Sequence, residues 1–305
     1  MLVLVGPTAS GKTGVAMHLA RRLGGEIISA DSRQIFRYLD IGTAKPTAAQ
    51  RAEIPHHFVD VLTPDQDYNA GRFGEEGRRV IDEILSCGRT PIVVGGSGLY
   101  VRALIDGLFV GPGSDPEFRA IIEERLRTEG LRAVIEELRR VDPGSAARID
   151  PTKPRRIVRA LEVFHATGRP LSELHASAPP EITFAPALSG LLRERKDLYA
   201  RIDLRCGEMI DDGLVREAEE LERRGYSSSL NSLNTVGYRE AFSFLKGEID
   251  RDGMLRLFRR NSRRYAKRQM TWFRRDARIR WIAMNSRSSE EETAAGIERA
   301  FRALP

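Results

Sequence analysis

The sequence has only two cysteines and no long apolar run. Cys87 and Cys206 are far apart and belong to no CxxC or metal-ligand spacing, which is typical of free thiols in a reducing compartment. No window of eighteen or more uninterrupted apolar residues occurs, and the first apolar run, MLVLVG, is too short for a signal peptide. We therefore expect a cytoplasmic protein with no disulfide and no membrane segment.

Positive charge is unevenly distributed along the 305 residues. The formal net charge is +6, but residues 251–281 hold twelve basic and two acidic residues, so the rest of the chain is net acidic. Such concentration is typical of a polyanion-binding surface. Phe258, Tyr265 and Trp272 recur every seven residues here, which predicts an apolar stripe on one helix, with basic side chains on the other faces: Arg256, Arg260, Arg264, Lys267 and Arg274. The alternative is a solvated surface helix anchored by its aromatic residues.

A phosphate-binding loop is predicted near the start of the chain. Gly6, Gly11, Lys12 and Thr13 satisfy G-x-x-x-x-G-K-[ST] between an apolar strand and a helical pattern. The loop amides, the helix N-terminus and Lys12 would hold phosphate oxygens, and the Thr13 hydroxyl would bind Mg²⁺. The predicted loop comprises Gly6, Pro7, Thr8, Ala9, Ser10, Gly11, Lys12 and Thr13.

Strands alternate with helices in the first third of the sequence. EIISA (residues 26–30) and TPIVVGGSG (residues 90–98) are the next predicted strands, which indicates an α/β fold with a P-loop NTPase-like parallel sheet. Residues 114–180 show only helical patterns, and we interpret them as a helical insertion domain. The core would then comprise residues 1–113 and 181–305, with the segment 176–187 returning the chain to the sheet.

The P-loop alone does not specify which phosphate compound binds. ATP would indicate a small-molecule kinase, although the third strand ends in glycines and Ser97, where a hydrolase usually has an acidic metal ligand. Asp31, Ser32 and Gln34 follow the second strand, so they face Ser97 at the carboxyl edge of the sheet, where ligands bind. A nucleic-acid-binding protein with a vestigial phosphate loop is a third interpretation.

With these residues in view, the sequence resembles the tRNA dimethylallyltransferase family. The resemblance covers nearly the whole chain to about residue 281. It rests on an ordered set of motifs: GPTASGKT, ISADSRQIFRYLDIGTAKP, IPHHFVD, YNAGRF, PIVVGGSGLYVRAL, PRRIVRALEVF, VGYRE and RRYAKRQMTWFR. It implies transfer of a dimethylallyl group from dimethylallyl diphosphate to N6 of adenosine 37, in tRNAs that read codons starting with U. Diphosphate is released, Mg²⁺ is the cofactor, and ATP is not consumed.

The resemblance also implies roles for four catalytic residues. Asp31 matches the base that accepts the N6 proton, and Lys12 stabilises the departing diphosphate. Ser97 matches the residue that contacts the bridging oxygen, but the family commonly has threonine there, so we expect a looser rotamer. Arg205 matches a diphosphate contact, with a salt bridge at the edge of the core as the alternative.

The implied partner is the anticodon stem-loop of tRNA, with the adenine flipped out of its stack. Gln34 could read the base edge. The residues expected to contact tRNA are Asp31, Ser32, Arg33, Gln34, Arg155, Arg156, Ile157, Val158, Arg159, Arg260, Arg264 and Lys267. The alternative for the segment 155–159 is the solvated face of a helix with an apolar core face, comprising Ile157, Val158, Leu161 and Phe164.

Three further expectations concern residues outside these sets. His56 and His57 have no nearby cysteine or suitably spaced carboxylates, so capping or tRNA contact is expected there and not a metal site. Tyr238 and Arg239 lie in a family-like motif for which the sequence gives no role. We expect a monomer.

Overall fold

A parallel β-sheet forms the centre of the computed structural model, which describes residues 1–108, 111–113, 115–176, 182 and 184–303. Within these residues the sheet has six strands in the order β3-β2-β4-β1-β5-β6, and every pair is parallel. The strands are β1 Leu2–Val5, β2 Gly25–Ser29, β3 His56–His57, β4 Thr90–Gly95, β5 Ala187–Arg193 and β6 Arg280–Met284. The predicted α/β class and parallel sheet are confirmed.

Helices connect and cover these strands. In chain order they are α1 Lys12–Leu23, α2 Ala48–Glu53, α3 Ala70–Ser86, α4 Gly98–Ile105, α5 Pro116–Thr128, α6 Gly130–Val141, α7 Pro143–Arg148, α8 Pro154–Thr167, α9 Leu171–Ala176, α10 Arg195–Asp211, α11 Leu214–Arg223, α12 Tyr238–Leu245, α13 Arg251–Phe273 and α14 Glu290–Arg302. Among these helices none is long and apolar enough to span a membrane.

The chain divides into two compact units. One comprises Met1–Ile105 with Thr183–Pro305, and the other comprises Asp106–Ile182. The first unit contains the whole sheet, and the second contains helices α5–α9. The expected boundary residues 114, 180 and 181 lie outside the described residues.

The central strands are apolar on both faces because helices cover both sides of a parallel sheet. All four residues of β1 are buried, and Leu2 and Leu4 pack in one cluster with Val15 and Leu19 of α1 and Ile297 of α14. Burying such side chains contributes about 1.5–3 kcal/mol each. The carboxyl end of β1 and the start of α1 are thereby fixed around the loop that joins them.

The carboxyl ends of three neighbouring strands place the predicted site residues at one edge. β1 runs into the P-loop, β2 is followed by Asp31, and β4 is followed by Ser97. Val5 is in register with Gly95 of β4 and with Gly190 of β5. Since all three strands are parallel, their following loops open on the same side of the sheet.

Two features of the sheet differ from the sequence prediction. The segment 176–187 was expected to return the chain to the sheet, but residues 177–181 and 183 lie outside the described residues, and residues 184–186 are not in a strand. The strand is β5, which begins at Ala187, after the last proline of the segment. Ser189 and Gly190 make β5 less apolar than a typical buried strand, although it lies between β1 and β6.

The edge strands β3 and β6 were not predicted at all. β3 has two residues, and β6 carries Arg280 and partly exposed side chains within the basic segment. The segment beginning LYARIDLRCGEM is helical throughout α10 and α11, which meet at Gly213 with φ 109°. Neither a short edge strand nor a charged one has the apolar run by which buried strands are recognised.

The second unit has its own small core. Ile122, Val134, Leu138, Ile157 and Leu161 are buried together on facing sides of α5, α6 and α8. Amphipathic helices of this kind bury their apolar stripes against each other. The described helices of this unit thus form a bundle.

Candidate active site

A cavity of about 600 Å³ opens at the carboxyl edge of the sheet in the first unit. The P-loop forms one wall. Residues that follow β2 and β4 contribute further walls, and α10, α13 and the segment just before α12 supply residues around them. Of the four expected catalytic residues, Lys12, Asp31 and Arg205 line this cavity, whereas Ser97 is not among its lining residues.

The P-loop is built to present amides to a ligand. Gly11 has φ 99°, a left-handed conformation that favours glycine. Loop carbonyls accept hydrogen bonds from cationic side chains: Lys12 Nζ donates to Pro7 O at 2.7 Å, and Arg201 Nε donates to Ala9 O at 3.0 Å. Within the described residues, the N–H groups of Gly11, Lys12 and Thr13 meet no acceptor. Such a set of amides at a helix N-terminus is a general anion site.

Two buried side chains that the sequence analysis missed fix the shape of the loop. Arg193, on β5, donates from Nε to Ser10 O at 3.0 Å. Gln269, on α13, accepts from the Thr8 amide at 2.9 Å and donates to Gly96 O at 2.9 Å. A Cβ at Gly96 would lie 2.2 Å from Gln269 Nε2, so glycine is required for this bridge. Gln269 lies in the RRYAKRQMTW motif, but only coordinates reveal its partners.

Lys12 has an unusual charge state. Burial lowers the pKa of Lys12 to about 7, and the neighbouring Arg205 lowers it further, while Asp31 opposes both effects. A bound anion favours the charged ammonium, because it replaces the missing solvation. Ligand binding and protonation of Lys12 are therefore coupled.

The affinity for inorganic pyrophosphate is expected to fall as the pH rises above about 7. Because free Lys12 has a pKa of about 7 and the bound ammonium a higher one, binding takes up a proton in this range. Affinity should fall by about tenfold per pH unit between the two pKa values, and it should not change through this group below the lower one. Calorimetric titrations between pH 6 and pH 9 measure it.

The Lys12→Arg variant is the matched control for this titration. Its guanidinium stays charged throughout, so the ligand's own titration is common to both proteins. The wild type should therefore lose more affinity than Lys12→Arg as the pH rises. Equal slopes would contradict the assignment of this pH dependence to Lys12.

Asp31 is held in place by the turn that follows β2. Its Oδ1 accepts from the amides of Arg33 at 2.9 Å and Gln34 at 3.4 Å. This Asx-type turn fixes the carboxylate, while Oδ2 has no hydrogen-bond partner in the described part of the chain. Asp31 also raises the pKa of Lys12 and of Arg205, which places its charge beside both cations. The arrangement leaves one carboxylate oxygen for a ligand.

The Ser97 hydroxyl is held by neighbouring groups. Its Oγ accepts from the Ser32 amide at 3.1 Å and lies 3.4 Å from Ser32 Oγ. The Tyr265 hydroxyl also bonds Ser97, and burial raises the pKa of Tyr265. These contacts restrict the rotamer that the loss of the threonine methyl group was expected to loosen. Tyr265 lines the cavity, although the heptad pattern had placed it in an apolar stripe.

The Gln34 amide is already engaged inside the protein. Its Oε1 accepts from Ser29 Oγ at 2.8 Å, and its Nε2 donates to the carbonyls of Thr43 and Ala44 at 3.2 Å each. Both donors of the amide are therefore used, and Gln34 lacks the free donor that reading a base edge would require. In this structure it supports the loop around residues 43–44.

Arg205 and Arg33 contribute positive charge to the cavity wall. Burial lowers the pKa of each, and Asp31 opposes the effect in both. Within the described residues, Arg205 forms no ion pair, so the expected alternative of a salt bridge at the core edge is not observed. A half-buried guanidinium without an ion-pair partner favours an anionic ligand.

Helix α13 presents different residues to the core, the cavity and solvent. Phe258 is buried, as the predicted stripe requires, but Trp272 is 37% exposed and lies against Gly98. The predicted stripe is therefore wrong beyond Phe258; Ala266 and Phe273 share the buried face. The predicted solvent-facing cations are all exposed, and none of them has an ion pair in the described residues: Arg256, Arg260, Arg264, Lys267 and Arg274.

Helix α8 in the second unit divides its five expected contact residues into two groups. Arg155 and Arg156 are exposed. Ile157 and Val158 are buried in the core of the unit, so their side chains are not accessible to tRNA. Arg159 donates to Glu162 at 2.6 Å and to Pro112 O at 2.8 Å, which is a structural role.

The two histidines of IPHHFVD lie on edge strand β3. His57 Nε2 contacts Glu26 Oε2 at 2.6 Å, and His56 Nδ1 contacts Ile54 O at 2.7 Å. Among the described residues, no group of three or more His, Cys, Asp or Glu side chains is arranged to hold a metal ion. The pair therefore tethers β3 to β2 and the preceding turn.

Comparison with known proteins identifies the family. The family model described as IPP transferase matches residues 34–276, and a second, described as isopentenyl transferase, matches residues 1–61. The tRNA dimethylallyltransferase of Pelotomaculum thermopropionicum is 44% identical over 300 residues, covering 98% of this chain and 95% of the relative. That of Cytophaga hutchinsonii is 45% identical over 283 residues, covering 92% of each chain.

Solved structures agree with these relatives. The full-length tRNA isopentenylpyrophosphate transferase from Bacillus halodurans has 37% identity and a TM-score of 0.73, covering 99% of this chain and 95% of its own. A eukaryotic dimethylallyltransferase acting on tRNA has 23% identity and a TM-score of 0.83, covering 100% of this chain and 80% of its own, and it supports the fold alone. The resemblance inferred from the sequence motifs is confirmed. The chain belongs to the tRNA dimethylallyltransferase family.

Proposed function

We propose that the protein transfers a dimethylallyl group from dimethylallyl diphosphate to N6 of adenosine 37, in tRNAs that read codons starting with U. The observation that carries this proposal is a cavity that both the P-loop and Asp31 line. One wall is suited to a diphosphate leaving group, and the other holds a carboxylate with a free oxygen. The enzyme would act as a monomer in the cytoplasm.

The leaving group and the nucleophile need different residues. As the bond between C1 and the diphosphate oxygen breaks, negative charge grows on that oxygen, and Lys12, Arg205 and the loop amides stabilise it. Ser97 would donate a hydrogen bond at the bridging oxygen. The adenine N6 forms the new bond to C1 with its electron pair and transfers a proton to Asp31 Oδ2. The products are the prenylated base and diphosphate.

Mg²⁺ is proposed to bind with the diphosphate. The Thr13 hydroxyl is exposed at the cavity wall and has no hydrogen-bond partner among the described residues, so it is available as an oxygen ligand. The residues present fit a metal held mainly by diphosphate oxygens and water, since no multi-carboxylate cluster surrounds Thr13 in the described structure. The ion would neutralise charge on the leaving diphosphate.

The exposed cations of α13 are proposed to bind tRNA phosphates. Arg260, Arg264 and Lys267 are exposed and have no compensating carboxylates in the described residues, which is the condition for a strong counterion-release contribution. Arg155 and Arg156 of the second unit are further candidates. Contacts with phosphates position the anticodon stem-loop, while the flipped adenine enters the cavity.

Charge reversal of Arg260 and Arg264 to glutamate is expected to weaken tRNA binding while pyrophosphate affinity is unchanged. Removing one cation from a phosphate lowers the slope of log K against log salt by about 1, so the double variant should show a slope smaller by about 2. Binding of tRNA across a salt series measures the slope. Charge reversal at Lys196 and Lys246, which are exposed outside α13, is the control, and an equal reduction there would contradict a specific role for α13.

One assay decides the proposed reaction. Folded protein, labelled dimethylallyl diphosphate, Mg²⁺ and unmodified tRNA with adenosines at positions 36 and 37 should yield labelled RNA. A small-molecule kinase would instead consume ATP without RNA, and a binding module would retain tRNA affinity without a reaction. RNA that stays unlabelled with protein of normal thermal stability would refute the proposal.

A further inference from the structure

A carboxylate on α11 binds three consecutive backbone amides of the loop after β2. Glu217 accepts from the N–H of Asp40 at 3.0 Å, of Ile41 at 2.9 Å and of Gly42 at 3.1 Å. The hydroxyl of Tyr238 donates to the same carboxylate. Within the described residues Glu217 pairs with no cation, so these hydrogen bonds alone balance its charge. Successive amides aimed at one point form an anion nest, which this carboxylate fills.

The segment held by Glu217 belongs to the wall of the cavity. Gly42, Thr43, Ala44 and Lys45 line it together with Asp31. The backbone of Ala44 is left-handed, with φ 49°, a conformation that a non-glycine residue keeps only where its surroundings enforce it. Such enforced backbone is typical of functional sites.

Tyr238 holds the same segment in place by packing against it. A Cβ at Gly42 would lie 2.4 Å from the Tyr238 ring, so the loop packs directly against that ring. Tyr238 is fully buried, and its burial together with the charge of Glu217 raises the pKa of its hydroxyl, which therefore stays a donor. This gives a physical role to the tyrosine of the VGYRE motif.

A chain of hydrogen bonds leads from this pair to the proposed base. The carbonyls of Thr43 and Ala44 accept both donors of the Gln34 amide, at 3.2 Å each. The backbone N–H of Gln34 in turn donates to Asp31 Oδ1 at 3.4 Å. Displacement of the loop would thus release Gln34 and loosen the turn that aims Asp31.

The loop has a second anchor at Lys45. Lys45 is buried, donates to Phe36 O at 2.9 Å, and pairs with Asp40 at 2.6 Å and Asp60 at 2.5 Å. Ion pairs of this kind hold the segment to the protein without Glu217. The nest therefore adds to the anchorage that Lys45 provides through Phe36 and Asp60.

We propose that Glu217 and Tyr238 are positioning residues for prenyl transfer, which hold residues 40–44 as the adenine side of the cavity and thereby aim Asp31. This rests on the proposed function. Neither side chain touches the reacting atoms. They affect the rate of the reaction once both substrates are bound, since displacing a reacting group by about 1 Å lowers the rate by about 10²-fold.

The test compares Glu217→Gln and Tyr238→Phe with the wild type. In Glu217→Gln the amide NH₂ faces three backbone donors, so amides 40–42 should exchange hydrogen faster and kcat should fall by about 10²-fold. KM for dimethylallyl diphosphate and the affinity for pyrophosphate should not change. Tyr238→Phe should show the same split with a smaller effect, because the three amide bonds to Glu217 persist.

Glu219→Gln is the matched control, since Glu219 lies on the same helix, is exposed and has no hydrogen-bond partner in the described residues. It should behave as the wild type. Wild-type kcat in Glu217→Gln overturns the proposal. If amide exchange is faster while kcat is unchanged, the role of Glu217 is structural only. A wild type without transfer activity refutes the proposed function instead, and unchanged exchange of amides 40–42 still refutes the nest by itself.

Discussion

Asp31→Asn is expected to retain both substrates and to lose the reaction. The amide cannot accept the N6 proton, and removal of a general base costs about 10²–10⁴-fold in rate. Single-turnover transfer of labelled prenyl to tRNA measures this loss, with tRNA affinity measured in parallel. Because asparagine keeps the oxygen that accepts from the amides of Arg33 and Gln34, the turn after β2 should persist.

The charge of Asp31 also acts on Lys12, which the experiment must separate from proton transfer. Asp31 raises the pKa of Lys12, so its removal favours the neutral amine. Pyrophosphate binding should therefore be compared at a pH well below 7, where the loss of Asp31 changes the charge of Lys12 least. Asp65→Asn, at an exposed position of the same unit, controls for the loss of one carboxylate. Wild-type turnover in Asp31→Asn would exclude Asp31 as the base.

Lys12→Met is expected to weaken pyrophosphate binding and to lower the rate of transfer by about 10²–10³-fold. Methionine keeps the length of the side chain but removes the charge beside the leaving group, and removing one such donor has an effect of this size. The bond from Nζ to Pro7 O is removed as well, so the loop has one anchor fewer. Titration with pyrophosphate and single-turnover kinetics separate binding from chemistry.

The control for this variant is Lys196→Met, at an exposed lysine on α10. It should bind pyrophosphate and react as the wild type does. Affinity for tRNA should be similar in all three proteins, because Lys12 lies within the cavity and not on the cationic face of α13. If Lys12→Met retained both pyrophosphate affinity and rate, the P-loop would not hold the leaving group.

The sequence predicted those parts of the site that depend on local order. The P-loop has a fixed spacing between a strand and a helix, and the residues after β2 and β4 meet because parallel strands end at one edge. Lys12 and Asp31 therefore line one cavity. Arg205, on α10, lines it too, but only the resemblance to the family had suggested that position. The concentration of charge on α13 was visible for the same reason, since it belongs to a single continuous segment.

Contacts between distant segments could not be predicted in this way. Gln34 has the donors and acceptors of a base reader, but its partners Ser29, Thr43 and Ala44 are known only from the fold. Gln269 reaches a loop 261 residues away. The heptad spacing placed Tyr265 on the same apolar stripe as Phe258. Phe258 is buried in the core, whereas Tyr265 is half-buried at the cavity. Periodicity indicates a face of a helix but not which neighbour that face meets.

Helix α13 is 23 residues long, and its two sides carry different kinds of residue. One side carries the exposed cations, and the other carries Gln269, which is bonded to both the P-loop and the end of β4. A continuous helix is stiff on the scale of its own length, so its faces move together. A displacement of the exposed arginines would therefore also displace Gln269, which accepts a hydrogen bond from the amide of Thr8. The proposed tRNA-binding face and the P-loop are thus connected through one helix.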